Sequence, residues 1–203
     1  MKAREQTIQL SSLLGDIENT LRNETRRMSR EGKPAPDWFP KAAELGKMLM
    51  DDEKQPNLQC SGMLLHCFAS GAAGVAALEA CVLDDNLPEE MRTAAAQTAV
   101  ELNPQTRIFQ SLAGKYADLK LRLRERFATI APQAATAPGA EEFVILCLKD
   151  AELGRQRRSV LNILRLPATP PLIAAVKELS NDKDLAPAIE NAIHRLEGCA
   201  GRQ

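Results

Sequence analysis

The spacing of the large apolar residues constrains this chain more than any other feature. Leu10, Leu14, Ile17, Leu21 and Met28 recur at intervals of three, four or seven, which places them in one stripe on a helix. The spacing returns in Leu58, Met63, Leu64, Cys67 and Phe68. It returns again, over a longer stretch, in Phe109, Leu112, Tyr116, Leu119 and Leu123, with Phe127 and Ile130 continuing the face. No run alternates apolar and polar residues between hairpin turns, so no strand is predicted. A chain patterned this way buries its apolar residues through helix packing.

Breaks between the stripes divide the chain. "KPAPDW" after Gly32, the "DDEKQPN" stretch, Gly71 with Gly74, "LDDNLP" and Asn103-Pro104 each end one periodic segment. Residues 104–131 read as one long helix with a heptad-like seam, too short for a free coiled coil and suited to packing in a bundle. "PQAATAPG", residues 132–139, is small, uncharged and bounded by proline and glycine, and reads as a linker exposed to proteases. Helices are expected near 140–150, 154–166, 170–180 and 186–197. The predicted organisation is an N-terminal amphipathic helix over 1–34, a helical-hairpin domain over 36–131, the linker 132–139 and a C-terminal hairpin segment over 140–199. The fold class is all-α, with about nine to ten helices.

With only 3% aromatic residues in 203, the interior must come from Leu, Ile, Val, Met and a large share of Ala. The alanines fall in a self-similar pattern. Leu78–Leu102 and Leu172–Leu196 align without a gap. Leu78 meets Leu172, Val82 meets Val176, Met91 meets Leu185, Ala94 meets Ala188, Ala95 meets Ile189, Ala99 meets Ile193 and Leu102 meets Leu196. Both stretches follow the plan helix, acidic turn, helix.

The first of them, with Asp84 and Asp85, then Met91-Arg92, then Ala94-Ala95 and a closing Leu102, resembles a HEAT-like repeat. The second departs from it, because Ala186 stands where Arg92 stands and no arginine bonds back to the turn. The resemblance implies a HEAT-like α-solenoid, in which small residues let helices pack closely. An orthogonal helical bundle fits the same pattern. The resemblance further implies a binding role, since stacked helical pairs present an extended face to another chain. The compact, alanine-rich style suggests a bacterial source.

Chemistry-bearing motifs are absent from the sequence: there is no CxxC, HExxH, GxSxG or Walker motif. His66 and Cys67 are consecutive, so on a helix they face about 100° apart and cannot act as base and nucleophile. Cys60 and Cys67 share a face but lie about 10 Å apart along the axis, too far for a common zinc ion. Glu89, Glu90, Glu141 and Glu142 sit where helix starts favour carboxylates. Catalytic residues, cofactor and metal are therefore all expected to be none. The cysteines read as small reduced hydrophobes, and His194 as solvent-exposed. No apolar run is long enough for a membrane span, and the N-terminus lacks a signal peptide's apolar stretch, so a cytoplasmic location is expected.

Charge is the remaining clue. The chain is near neutral at -1, yet residues 41–102 carry ten acidic and four basic side chains. Residues 104–126 reverse this, with six basic side chains against Asp118 and Glu125. Arg22, Arg26, Arg27 and Arg30 form a second basic group, and Arg155, Arg157 and Arg158 a third. Arg122 and Arg126 share a helix face while Arg124 points elsewhere. Solvated helix faces account for these groups; so does a basic surface for an acidic segment of a partner protein, formed by Lys115, Arg122, Arg126, Arg155, Arg157 and Arg158. The function expected is a non-enzymatic adaptor, chaperone or regulatory scaffold. The alternatives are a nucleic-acid binder like HEAT-like DNA repair proteins, for which no motif or interleaved aromatics speak, and an enzyme like the HEAT-like lyases that handle tetrapyrroles.

Overall fold

The computed structural model describes residues 2–31, 35–50, 56–70 and 72–200. Among them there are eleven α-helices and no strand. The helices are α1 (Lys2–Glu31), α2 (Phe39–Met50), α3 (Pro56–Ser70), α4 (Ala72–Leu83), α5 (Glu89–Leu102), α6 (Ile108–Gly114), α7 (Leu121–Ile130), α8 (Ala140–Lys149), α9 (Gln156–Ile163), α10 (Pro170–Glu178) and α11 (Ala186–Ala200). The chain is all-α, as its periodicity requires. No described helix is long and apolar enough to cross a membrane. The expected breaks at Gly32, at residues 51–55 and at Gly71 lie outside the described residues, as do the side chains of Arg26, Met28, Arg30 and Cys199.

The chain forms two compact units, Met1–Leu102 and Asn103–Gln203. In the first, α1, α2, α4 and α5 all pack on α3, and α4 also packs on α5. The helices α2 and α3 approach closely because two glycines face each other. A Cβ on Gly46 would lie 2.5 Å from the Gly62 carbonyl, and one on Gly62 would lie 2.6 Å from the Gly46 carbonyl. The His66 Nδ1–H donates to the Ala43 carbonyl at 3.0 Å across the same seam. In the hairpin of α4 and α5, Leu78, Val82, Ala95 and Ala99 are fully buried. Ala94 and Leu102, also expected inside, are half-buried, and Ala96 takes the inward place. The Arg92 guanidinium bonds back to the turn, donating to the Val82 carbonyl at 2.9 Å and to Asp85 at 2.7 Å.

The second unit stacks its helices in two rows, α6–α8–α10 and α7–α9–α11. Its centre is Phe143. The rings of Tyr116, Phe109 and Phe127 lie 5.3, 5.7 and 6.4 Å from it, so four of the chain's seven aromatic side chains meet at one point. Buried Leu172, Val176, Leu185, Ala188, Ile189 and Leu196 hold α10 against α11, while Ile193 is half-buried. Where Ala186 leaves this hairpin without its own turn-binding arginine, Arg157 of α9 serves: its Nη2 donates to Asp182 in the turn at 3.0 Å. Arg195 of α11 donates to the carbonyls of Leu161 and Asn162 at 2.5 and 2.9 Å, capping the end of α9.

Two expectations are corrected. The single helix over 104–131 is instead α6 and α7, separated by a 3₁₀ turn at Tyr116–Asp118 and by extended backbone at Leu119 (ψ 133°) and Lys120 (ψ 143°). Phe109, Leu112, Leu119, Leu123, Phe127 and Ile130 are all buried nonetheless. A three-four spacing says which residues turn inward, not that one axis carries them all. The linker expected at 132–139 lies inside the second unit, and the division falls at Leu102–Asn103, within the span expected as one 36–131 domain. Pro132, Ala134 and Ala137 are buried. The Pro132 carbonyl accepts from the Arg165 N–H at 2.8 Å, and the Thr136 hydroxyl donates to the Pro104 carbonyl at 2.9 Å. Gly139, with φ 79°, opens α8 so close to Gln110 of α6 that a Cβ would collide with the Gln110 backbone. Small residues, read as a flexible spacer, are there because the space is small.

Candidate functional site

The six basic residues singled out from sequence do not share one environment. Lys115 is exposed at the end of α6. On α7, Arg122 is exposed and Arg126 half-buried. Arg124, between them, turns inward as its phase requires. It donates to Asp150 at 2.5 Å and to Glu152 at 2.7 Å, and lies over the Tyr116 ring. Desolvation opposes its charge, but the bonds to Glu152 and Asp150 prevail and hold the guanidinium above its ordinary value. The Tyr116 hydroxyl donates to the same Asp150 carboxylate at 2.9 Å. This cluster fixes the 3₁₀ turn of α6–α7 to the end of α8. The N-terminal basic group is likewise partly spent inside its unit. Arg22 pairs with Glu18 at 3.1 Å and Glu101 at 3.0 Å over the Phe68 ring, and Arg27 pairs with Glu24 at 3.0 Å.

Arg155, Arg157 and Arg158 do come together. They line a surface cleft of about 500 Å³ with Gly154, Asp182, Asp184 and Leu185. The cleft forms because a 3₁₀ turn, Ala151–Leu153, and Gly154 bring the chain into α9 beside the turn that precedes α11. Arg157 and Asp182 are paired across it, with 16% and 30% of their side chains exposed. Arg155 and Arg158 are exposed at its edge. Lys115, Arg122 and Arg126 are not among the described residues lining it.

A second concave feature was not expected from the sequence. In the first unit α1 and α2 both lie on α3, and between them runs an apolar groove of about 450 Å³. It is lined by Asp16, Ile17 and Thr20 from α1 and by Trp38, Lys41, Ala42 and Leu45 from α2 and the turn before it. Leu13 stands four residues before Ile17 on α1 and Met48 three after Leu45 on α2, and they are 56% and 68% exposed. Two of the five large exposed hydrophobic side chains among the described residues, Trp38 and Leu45, line the groove. The signal was present in the sequence. Leu13 falls outside the Leu10–Leu14–Ile17–Leu21 stripe, and "WFPKAAELGKMLM" carries more apolar side chains than one helix face can bury.

The described thiols are unsuited to catalysis. Burial pushes Cys60 up to about 11, and Cys67 and Cys147 up to about 12, from the ordinary 9.0. A nucleophilic cysteine needs the opposite shift. Among the described residues no group of three or more His, Cys, Asp or Glu side chains could hold a metal ion.

The fold and these two features define an all-α protein of packed helices that carries an apolar groove and a charged cleft. No protein-family model, no curated protein and no solved structure matches the chain.

Proposed function

We propose that this chain is a HEAT-like helical-repeat protein that acts as a non-enzymatic adaptor or scaffold by binding another protein. The observation that carries this reading is the groove between α1 and α2. Exposed large apolar residues scattered singly need no explanation, but a contiguous set lining a concavity marks an interaction site. Tryptophan is enriched among the residues that dominate binding energy, and the chain's one tryptophan, Trp38, lines this groove. The two-row packing of α6–α11 and the self-similar hairpins support the repeat reading. The occupant is an amphipathic helix of the partner, laid in the groove on its apolar face. Asp16 on the α1 wall and Lys41 on the α2 wall give it a direction: cationic side chains flank its stripe toward α1 and anionic ones toward α2.

The test compares wild type with the Leu45→Glu/Met48→Glu variant in affinity purification from the native host. Both replaced side chains are already exposed, so the melting temperature should hold. A protein retained by wild type and lost by the variant is expected. Once purified, it should shift the Trp38 emission to the blue as the indole leaves water. A variant that retains every protein the wild type retains refutes the reading.

A further inference from the structure

Resting on the protein-binding reading, we propose that the cleft at the start of α9 is a second, separate recognition site, in which Arg155 and Arg158 bind the carboxylates of an acidic peptide segment. The cleft is charge-mixed, and its members divide by what they already hold. The Arg157 guanidinium is fixed by Asp182 at 3.0 Å and also donates to the Gly154 carbonyl at 3.4 Å. The second Asp182 oxygen accepts the Asp184 N–H at 3.1 Å, so this carboxylate is engaged on both sides. Arg157 and Asp182 therefore form a fixed wall and cancel each other's charge. Arg155 and Arg158 stand three residues apart at the start of α9 and so reach the same face. Their exposed guanidinia at the edge of a concavity present paired donors suited to carboxylates. Asp184 is the remaining carboxylate of the cleft and acts as an internal competitor for them.

Counting Arg155, Arg157 and Arg158 against Asp182 and Asp184 leaves one positive charge in the cleft. That balance suits discrete carboxylates on a peptide, which can meet the arginines while avoiding the aspartates. It suits a nucleic acid poorly. A continuous phosphate backbone would meet Asp182 and Asp184, and no aromatic side chain is among the described residues lining the cleft to stack on a base. The volume of about 500 Å³ accommodates a few side chains of an extended segment.

The experiment titrates full-length protein into a fluorescein-labelled oligoglutamate peptide with blocked ends, at low salt, and reads anisotropy. Wild type should bind, and binding should weaken as salt rises. The Arg155→Gln/Arg158→Gln variant should bind about tenfold more weakly with an unchanged melting temperature, because the replaced side chains are exposed. Asp184→Asn, which removes the competitor, should bind several-fold more tightly. The groove variant Leu45→Glu/Met48→Glu should bind oligoglutamate as wild type does, so failure at the groove and failure at the cleft are read separately. Equal binding by wild type and the double-arginine variant overturns the proposal. So does tighter binding of an oligothymidylate of matching length, which would assign the cleft to nucleic acid.

Discussion

Arg92 shows how unequal two bonds from one side chain are. It is 4% exposed, and its Nε–H satisfies the Val82 carbonyl inside the α4–α5 hairpin. Its Nη1 meets Asp85, whose side chain is 81% exposed. An ion pair with so wet a partner contributes little, about 0 to 1 kcal/mol. Leaving a buried carbonyl unsatisfied costs about 1–3 kcal/mol. Arg92→Met should therefore destabilise the first unit by about 2 kcal/mol, while Asp85→Asn should change it by less than about 1 kcal/mol. Urea unfolding of both variants checks this; equal losses would mean that the ion pair, not the carbonyl bond, holds the turn. Arg92 was legible in sequence as the arginine that bonds back to its turn. Arg157, which takes the corresponding part for Asp182 from a different helix, was not, because the two residues are 25 apart and no local pattern links them.

At the scale of elements, glycine spacing matters as much as apolar spacing. Gly46 and Gly62 let α2 and α3 touch backbone to backbone, and the His66–Ala43 bond depends on that approach. Gly46→Ala places a methyl group against the Gly62 carbonyl and the His66 amide. The helices must separate, so the variant should lose about 1–3 kcal/mol despite alanine's better helix propensity. A gain in thermal stability for Gly46→Ala would show that the contact yields without strain. The break between α6 and α7 belongs to this scale too. Gly114 ends α6 where the apolar spacing runs on, and the extended Leu119 and Lys120 begin a new axis while Leu119 stays buried. The Tyr116 and Arg124 bonds to Asp150 reward that bend. They join residues that are 34 and 26 apart, so a periodicity reading cannot contain them.

For the molecule as a whole, the thiols set an alkaline limit. Cys60 and Cys67 in the first unit and Cys147 in the second are each held above the ordinary thiol value by burial, to about 11, 12 and 12. A raised value in the folded state means the fold binds the proton more tightly than the unfolded chain does. The resulting stability is complete below about pH 9, the unfolded thiol value, and is lost as pH rises through the folded values. Denaturant midpoints should thus be flat from neutral pH to about 9 and fall steadily toward pH 12. A thiol reagent at pH 8 should leave Cys67 and Cys147 unmodified until the chain unfolds. Rapid native labelling of either would contradict their burial. Limited proteolysis tests the division into units. A protease of broad specificity should cut near 103–107, where Pro104, Gln105 and Arg107 are exposed, in preference to 132–139, where the backbone is bonded to Arg165. Preferred cleavage at 132–139 would restore that segment as a linker.

Residue spacing is enough to make the chain helical and to show which residues turn inward. Both depend on spacing and propensity within a few residues. The hairpin Leu78–Leu102 is largely legible at that level, including Ala95, Ala99 and Arg92, but not the exchange of Ala94 for Ala96 at the inward place. Tertiary structure alone decided which basic residues remain at the surface. Arg22 and Arg124 were drawn into ion pairs across their units, and Arg155 and Arg158 were left at a cleft edge. It also decided that alanine and proline at 132–139 fill a tight space rather than span an open one. The groove of α1 and α2 has the same origin. A helix has more apolar side chains than a neighbour can cover when both lean on a third, and only the packing of α1 and α2 on α3 shows which of them stay uncovered.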